Sequence, residues 1–242
     1  MVDLEHSHTE DAIAKRFSRP PSQSYLRDWI YGGIDGAVTT FAIVSGVVGG
    51  KLSSLVILIL GFANLLADGF SMAASNYLGT KSEIDQFRHY EAIEEKHIET
   101  IPEGERNEIR QIFRNKGVKQ ADLEKIVQVI TENKSLWIKT MLQEEYGLPG
   151  AIRSPFKSSL CTFLSFLLFG MIPLIPYILG FSNAFGISCL CTGAAFFIIG
   201  SIKGRWSARA WYFSGFETLV TGVATAALAY YIGAFLNWYL VG

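Results

Sequence analysis

The stretch LSSLVILILGFANLLADGFSMAASNY, residues 52–77, is almost entirely apolar and carries a single charged residue, Asp68. About 20 consecutive apolar residues are enough to cross the hydrocarbon core of a bilayer as a helix. This stretch is longer than that, and it contains no proline. It therefore predicts a transmembrane helix that holds one carboxylate.

Four further stretches have a similar length and apolar character, at residues 30–50, 160–179, 184–202 and 211–240. Charged residues make up 18% of the chain, below the roughly 25% that is usual in soluble domains. The sequence therefore predicts an all-α integral membrane protein with five transmembrane helices. The net charge of −1 and the lack of a concentrated basic face exclude nucleic acid as a partner.

Most of the charge lies in residues 81–157, between the second and third predicted spans. Residues 81–101 lack glycine and proline, which predicts that the second span continues as a helix. Pro102 and Gly104 predict a break, followed by helices at 105–115, after a capping Asp122, and at 135–146. We therefore expect four parts: a flexible tail (1–25), spans one and two (26–80), an inserted helical domain (81–157), and spans three to five (158–242).

Lysine and arginine alternate between the connections in the way that sets membrane orientation. The tail and the insert are rich in them, whereas the connection between spans three and four and the C-terminus have none. This pattern predicts that the N-terminus and the insert are cytoplasmic and that the C-terminus lies on the other side.

Carboxylates within spans are costly, so they are candidate functional residues. The first span carries Asp35, and Asp28 lies seven residues before it at the membrane edge, so the two carboxylates share one helix face. Asn64, Asp68 and Met72 follow one another at intervals of four on the second span, and their oxygens and thioether could bind a divalent metal such as iron(II). The alternative is structural, with Asp28 capping a helix at the interface and Asp35 holding a hydrogen bond.

The insert carries a second group of possible metal ligands, which includes the pairs Glu105 with Glu108 and Met141 with Glu145. On the preceding helix, several acids can face one way with an imidazole; they are Glu91, Glu94, Glu95 and His97, of which Glu91 and Glu95 are the less certain ligands. Three helices could present these groups to one cleft. The alternative is an acidic face that is merely solvated.

Three segments together resemble the vacuolar iron transporter family. They are RDWIYGGIDGAVTTFAIVSGVVGG (27–50), GFANLLADGFSMAASNYLGTKSEID (61–85) and LWIKTMLQEEYGL (136–148). The resemblance implies five transmembrane helices with a cytoplasmic metal-binding domain between the second and third. It also implies a homodimer with a transport path at its two-fold interface, which exports iron(II) from the cytosol in exchange for protons. Such a protein is a transporter and not an enzyme, and it has no prosthetic group.

By position, the resemblance assigns the family's transport path to Asp28, Asp35 and Met72. Its cytoplasmic metal ligands fall on Glu94, Glu105, Glu108, Met141 and Glu145. The chain departs from the family at three ligand positions, where it has Asn64 in place of a glutamate, His97 in place of a glutamate and Leu142 in place of a methionine. The sequence of residues 68–83, DGFSMAASNYLGTKSE, is most similar to the bacterial branches of the family, which favours a bacterial inner membrane over a vacuolar membrane.

The hypothesis is therefore a proton-coupled antiporter in the lipid bilayer that exports iron(II). Mn²⁺, Co²⁺, Ni²⁺ and Zn²⁺ are further possible substrates, because the same ligand types bind all of them. The alternative is a membrane-anchored metal-binding or iron-oxidising module similar to ferritin, suggested by the Glu-x-x-His spacing of Glu94 and His97.

Overall fold

The computed structural model describes residues 7–18, 23–149, 153–205 and 209–241. These residues form α-helices joined by short connections, with one 3₁₀ turn and no β-strand among them. In chain order the helices are α1 (Glu10–Phe17), α2 (Leu26–Gly49), α3 (Ser54–Thr100), α4 (Pro102–Asn115), α5 (Gln120–Thr131), α6 (Lys134–Glu144), α7 (Pro155–Met171), α8 (Ile175–Ile178), α9 (Ala184–Gly204) and α10 (Trp211–Val241). The all-α fold class is confirmed.

Five helical segments in the described part of the chain are long and apolar enough to cross a membrane. They are Leu26–Gly49, Ser54–Thr100, Pro155–Ile178, Ala184–Gly204 and Trp211–Val241. The third is interrupted, because a 3₁₀ turn at Ile172–Leu174 separates α7 from α8. Pro173 and Pro176 lack the N–H that a continuous helix needs, which explains the interruption.

The chain divides into two compact units. One comprises the described residues of Met1–Ser24 and Thr80–Arg153, and the other those of Tyr25–Gly79 and Ser154–Gly242. Helix α3 supplies residues to both. It runs without a break from Ser54 to Thr100, as the lack of glycine and proline in residues 81–101 predicts.

In the unit that contains the other apolar helices, α2 packs between α7 and α10. Glycine makes this close packing possible. A Cβ atom on Gly36 would lie 2.3 Å from the carbonyl oxygen of Phe166 in α7, and one on Gly49 would lie 2.1 Å from that of Tyr230 in α10. Both positions require a residue without a side chain, as is common where membrane helices meet.

The other unit is built from α4, α5, α6 and the C-terminal part of α3 around a separate hydrophobic core. The buried residues of that core are Ile98, Ile109, Val127, Ile130, Trp137, Ile138, Met141 and Leu142. Arg110 of α4 binds Glu124 of α5 through an ion pair at 2.9 Å.

The predicted break is confirmed, because α3 ends at Thr100 and a new helix follows. Helix α4 begins at Pro102 rather than at Glu105, since the missing N–H of a proline at the first helical position would have no helical partner in any case. One local prediction for this unit is wrong. Asp122 does not cap α5, which begins two residues earlier at Gln120. For α6 the cap is Asn133, whose side chain accepts a hydrogen bond from the backbone N–H of Leu136 at 3.1 Å.

The N-terminal segment, predicted to be a flexible tail, contains the short helix α1. Glu10 and Asp11 occupy its first turn and Lys15 and Arg16 its last. Acidic groups at the start of a helix and basic groups at its end complement the helix dipole, which favours a helix even in a polar sequence.

Candidate metal centre and membrane carboxylates

Three possible metal ligands lie together where α3 ends and α4 begins. The Glu105 carboxylate is 3.4 Å from Nδ1 of His97, and the Glu94 carboxylate is 4.0 Å from the same nitrogen. One ligand atom from each of the three residues lies within 4.8 Å of the others. A single divalent ion with metal–ligand distances of about 2.0–2.6 Å could bridge such a set.

The local fold explains why these residues meet. Glu94 and His97 are one turn apart on α3 and therefore share a face. Helix α4 starts two residues after α3 ends, and its Ile109 joins Ile98 of α3 in the same core. Glu105, in the first turn of α4, is thereby placed beside the end of α3.

The carboxylates are buried, and their hydrogen bonding is incomplete. Glu94 is 0% and Glu105 is 4% exposed, whereas His97 is half exposed and opens the cluster to solvent. Neither Oε2 of Glu94 nor Oε2 of Glu105 has a hydrogen-bond partner within the described residues. A buried carboxylate oxygen without a donor is costly, and a bound cation would satisfy it.

Burial and crowding of negative charge raise the pKa of Glu105 to about 7. Burial is the larger cause, followed by the negative charges of Glu94 and Glu108. The pKa of Glu145, just after α6, is also raised by partial burial and then by the charges of Glu94 and Glu108. Glu108 and Glu145 are both exposed, but these charge interactions show that they lie near the buried carboxylates of Glu94 and Glu105. A divalent cation would relieve this repulsion.

Tyr146 contacts the cluster and was not among the predicted ligands. Its hydroxyl group donates a hydrogen bond to Oε1 of Glu94 at 3.0 Å, and its ring packs on that of Tyr90 with centroids 4.3 Å apart. Burial and this hydrogen bond raise the pKa of Tyr146, so it remains a neutral donor. The hydroxyl group therefore occupies one oxygen of Glu94 and leaves the other for a ligand. In the sequence, only its position next to Glu145 indicated that Tyr146 could contact this cluster.

The other predicted ligands of the insert lie in different surroundings. Met141 is fully buried in the hydrophobic core of its unit. Glu91 and Glu95 line a separate hollow of about 540 Å³ with Lys134, whose ammonium group is 3.4 Å from the Glu95 carboxylate. Glu94 and Glu95 are adjacent on α3 and therefore point about 100° apart, which places Glu95 beside Lys134.

In the other unit, Asp35 of α2 and Asp68 of α3 are close enough for their negative charges to repel each other. Asp35 is partly buried, and Asp68 is exposed on the surface of the single chain. Beside them, the Asn64 side chain donates a hydrogen bond to the Thr39 hydroxyl at 3.2 Å. The Thr39 hydroxyl in turn donates to the backbone carbonyl of Asp35 at 2.9 Å. Asn64 therefore ties α3 to α2 next to the carboxylate pair.

Asp28 lies deeper in the protein, at 5% exposure. The Asn76 amide donates to Oδ1 of Asp28 at 3.1 Å and to the Thr162 hydroxyl at 2.7 Å, which links α2, α3 and α7. Asn76 was missed, although it continues the four-residue spacing of Asn64, Asp68 and Met72. Met72 is partly buried and packs against the core of this unit.

These two groups of side chains lie within a region that matches a known protein family. The sequence profile of the VIT family matches residues 26–234. The chain belongs to the VIT family.

Curated relatives in the VIT family match over most of this chain. A vacuolar iron transporter of Toxoplasma gondii is 32% identical over 229 residues, which cover 89% of this chain and 76% of the relative. Vacuolar iron transporter 1 of Arabidopsis thaliana is 32% identical over 242 residues, which cover 93% of this chain and 96% of the relative. A vacuolar iron transporter of Plasmodium berghei is 30% identical over a match that covers 96% of this chain and 89% of the relative. The resemblance found in residues 27–50, 61–85 and 136–148 is thereby confirmed.

Proposed function

We propose that this VIT-family chain is a proton-coupled exporter of iron(II) from the cytosol that works as a homodimer. Family membership identifies a transporter rather than an enzyme, and the curated relatives carry iron in their names. The observation that carries the mechanism is the pairing of Asp35 and Asp68 on apolar helices, because a carboxylate at membrane depth is costly and is kept for a function.

In this mechanism the insert lies in the cytosol and captures the ion. Glu94, His97 and Glu105 supply the nearest ligands, and Glu108 and Glu145 add negative charge that raises the local cation concentration. His97 suits iron(II) and also Co²⁺, Ni²⁺ or Zn²⁺, and the carboxylates suit Mn²⁺, so these ions are further candidate substrates. Tyr146 fixes the orientation of Glu94 for this step.

Asp35 and Asp68 then pass the ion through the membrane. Two like charges in a region of low dielectric constant bind either a proton or a cation more favourably than they remain ionised and unpaired. Binding of one excludes the other, and this competition is the physical basis of exchange. Asn64 and Met72 lie on the same stripe of α3 and would contribute further oxygen and sulfur ligands, and Asp28 would contribute from α2.

A second copy of the chain would complete the path. Asp68 is exposed in the single chain although it lies on an apolar helix, and large apolar side chains such as Leu66 and Phe70 are exposed beside it, at 61% and 70%. A two-fold dimer through this surface would shield the carboxylates from lipid and double their number. The location in a bacterial inner membrane stays a prediction, as does the cytoplasmic side of the insert.

The test uses the purified protein in liposomes that hold a trapped iron(II) indicator, with an imposed pH gradient that is acidic inside. Iron entry that depends on the gradient is the expected result. Oxygen consumption without iron entry would instead identify the alternative, an iron-oxidising module. The same vesicles, tested with Mn²⁺, Co²⁺, Ni²⁺ and Zn²⁺, would define the substrate range.

A further inference from the structure

A cavity of about 340 Å³ lies between α2, α9 and α10, within the unit that holds the apolar helices. Its floor is formed by Phe41 and Phe196, which are 5% and 0% exposed, and its mouth by Val223 and Tyr231, which are 52% and 70% exposed. The volume is within the range of about 300–1,000 Å³ that is usual for small-molecule sites.

One polar group on the cavity wall lacks a partner. Ser45 lines the cavity and is 1% exposed, and none of the described residues forms a hydrogen bond with its buried hydroxyl group. A water molecule would need two to four polar partners to be stable there. Since the rest of the wall is largely apolar, a molecule with a long apolar part and one acceptor fits the cavity better than water.

The cavity is separate from the proposed transport path. Ser45 follows Asp35 by ten residues, which places it roughly 80° around α2, and no residue of α3 lines the cavity. The surface around the mouth is apolar, with exposed Leu228, Ile232 and Phe235 on α10. In a bilayer this surface would face lipid, so a lipid molecule is the ligand available to enter the cavity.

The depth of Ser45 indicates which part of a lipid it meets. Helix α2 has 24 residues and is therefore about 36 Å long, and Ser45 lies four residues, or about 6 Å, before its end at Gly49. With a hydrocarbon core of about 30 Å, this position is close to the boundary with the headgroup layer, where the ester carbonyls of glycerolipids lie.

We propose that this cavity binds one acyl chain of a membrane glycerolipid, whose ester carbonyl accepts a hydrogen bond from the Ser45 hydroxyl. The chain lies against Phe41 and Phe196 and leaves through the mouth between α9 and α10. The proposal rests on the membrane location in the proposed function, but it does not depend on iron transport.

The test places the protein in phosphatidylcholine vesicles that contain phosphatidylcholine with a diazirine on one acyl chain. After illumination, mass spectrometry locates the cross-links. We expect them to concentrate in peptides that carry Val223 and Tyr231. Equal labelling along all the lipid-facing helices would overturn the proposal, and so would stronger labelling by a free fatty acid that bears the same diazirine.

Two substitutions on α9 give a matched pair. Gly193 lines the cavity, and a Cβ atom there would lie an ordinary 3.5 Å from Leu219, so Gly193→Phe fills the cavity without a backbone clash. Leu190→Phe adds a ring at a residue that is 75% exposed and lies outside the cavity. Gly193→Phe should lower the labelling at least about fivefold, and Leu190→Phe should leave it unchanged; equal labelling of the two variants would overturn the proposal.

Ser45→Ala removes the hydroxyl and keeps the cavity, so it should lower labelling by phosphatidylcholine about threefold. If Gly193→Phe does not fold, Ala227→Leu narrows the same cavity from α10 and is expected to lower the labelling likewise. Iron uptake is measured in the same vesicles. Labelling without uptake in the unmodified protein would contradict the transport proposal alone, and uptake without site-specific labelling would contradict the lipid proposal alone.

Discussion

Glu94 shows how one hydrogen bond can prepare a carboxylate for a metal. Its Oε1 accepts from the Tyr146 hydroxyl, and its Oε2 accepts from no donor in the described part of the chain. Residues that orient metal ligands in this way typically contribute about 10- to 100-fold to metal affinity.

Tyr146→Phe removes only the hydroxyl group that holds Glu94. We expect iron(II) binding by the full chain in detergent to weaken about tenfold, measured by anaerobic calorimetry. Tyr90→Phe is the matched control, because it keeps the ring that packs on Tyr146. Equal affinities for the Tyr146 variant and the unmodified protein would show that Tyr146 does not position the ligand.

The pKa of about 7 at Glu105 predicts two effects of pH with opposite signs. Protons compete with the metal, so iron(II) affinity should fall as the pH drops below about 7. In the metal-free protein the protonated form favours folding, because the folded-state pKa lies above the ordinary value of 4.5. This stabilisation is fully present below about pH 4.5 and is lost as the pH rises through about 7.

Thermal unfolding of the metal-free protein across this pH range measures the second effect. The melting temperature should fall between about pH 5 and 8 in the unmodified protein and change much less in Glu105→Gln. The same decline in both proteins would assign the pH dependence to other groups.

Close backbone packing between helices holds together the unit that contains α2, α7, α9 and α10. Gly36→Ala would place a Cβ atom 2.3 Å from the Phe166 carbonyl oxygen and push α2 away from α7. We expect a loss of stability of about 1–3 kcal/mol, as for other overpacked cores, measured by thermal unfolding in detergent. Gly79→Ala in α3 is the control, since a Cβ atom there meets nothing within 4 Å. Destabilisation by both variants alike would show that crowding at Gly36 is not the cause.

The helices themselves could be predicted from the sequence, whereas their ends and faces could be predicted only in part. Apolar length was sufficient to find the five long helices, and the absence of glycine and proline in residues 81–101 predicted the continuous α3. Pro102 correctly marked the break after α3, but the start of α4 was placed three residues too late, because proline can occupy the first position of the next helix.

The sequence predicted which residue types form the candidate site more accurately than it predicted which way their side chains point. Sequence spacing placed Glu94 near His97, but it could not show that Glu95 turns toward Lys134, since this depends on the packing of α6. Tyr146 and Asn76 were missed because their roles are hydrogen bonds to other helices. Such bonds have no signature in local sequence.

In the whole molecule, Asp68 is exposed on an apolar helix, where contact of its carboxylate with lipid would be costly. A second subunit or a polar path through the membrane would remove this cost. A shared path in a homodimer makes a quantitative prediction for mixed subunits. When equal amounts of the unmodified protein and an inactive Asp35→Asn variant are co-expressed, about a quarter of randomly formed dimers contain two active subunits. Iron uptake should fall to about a quarter. A fall to one half would indicate that each subunit transports independently.

In the proposed mechanism, Asp35 exchanges a metal ion for a proton within the membrane. The most direct test is iron(II) uptake by proteoliposomes under a pH gradient, comparing Asp35→Asn with the unmodified protein. Glu217→Gln serves as the control, because Glu217 is an exposed acid on α10 that pairs with Lys203 at 3.5 Å. Gradient-driven uptake should be lost in Asp35→Asn and retained in Glu217→Gln, with both proteins folded. Uptake by Asp35→Asn at the rate of the unmodified protein would contradict this mechanism.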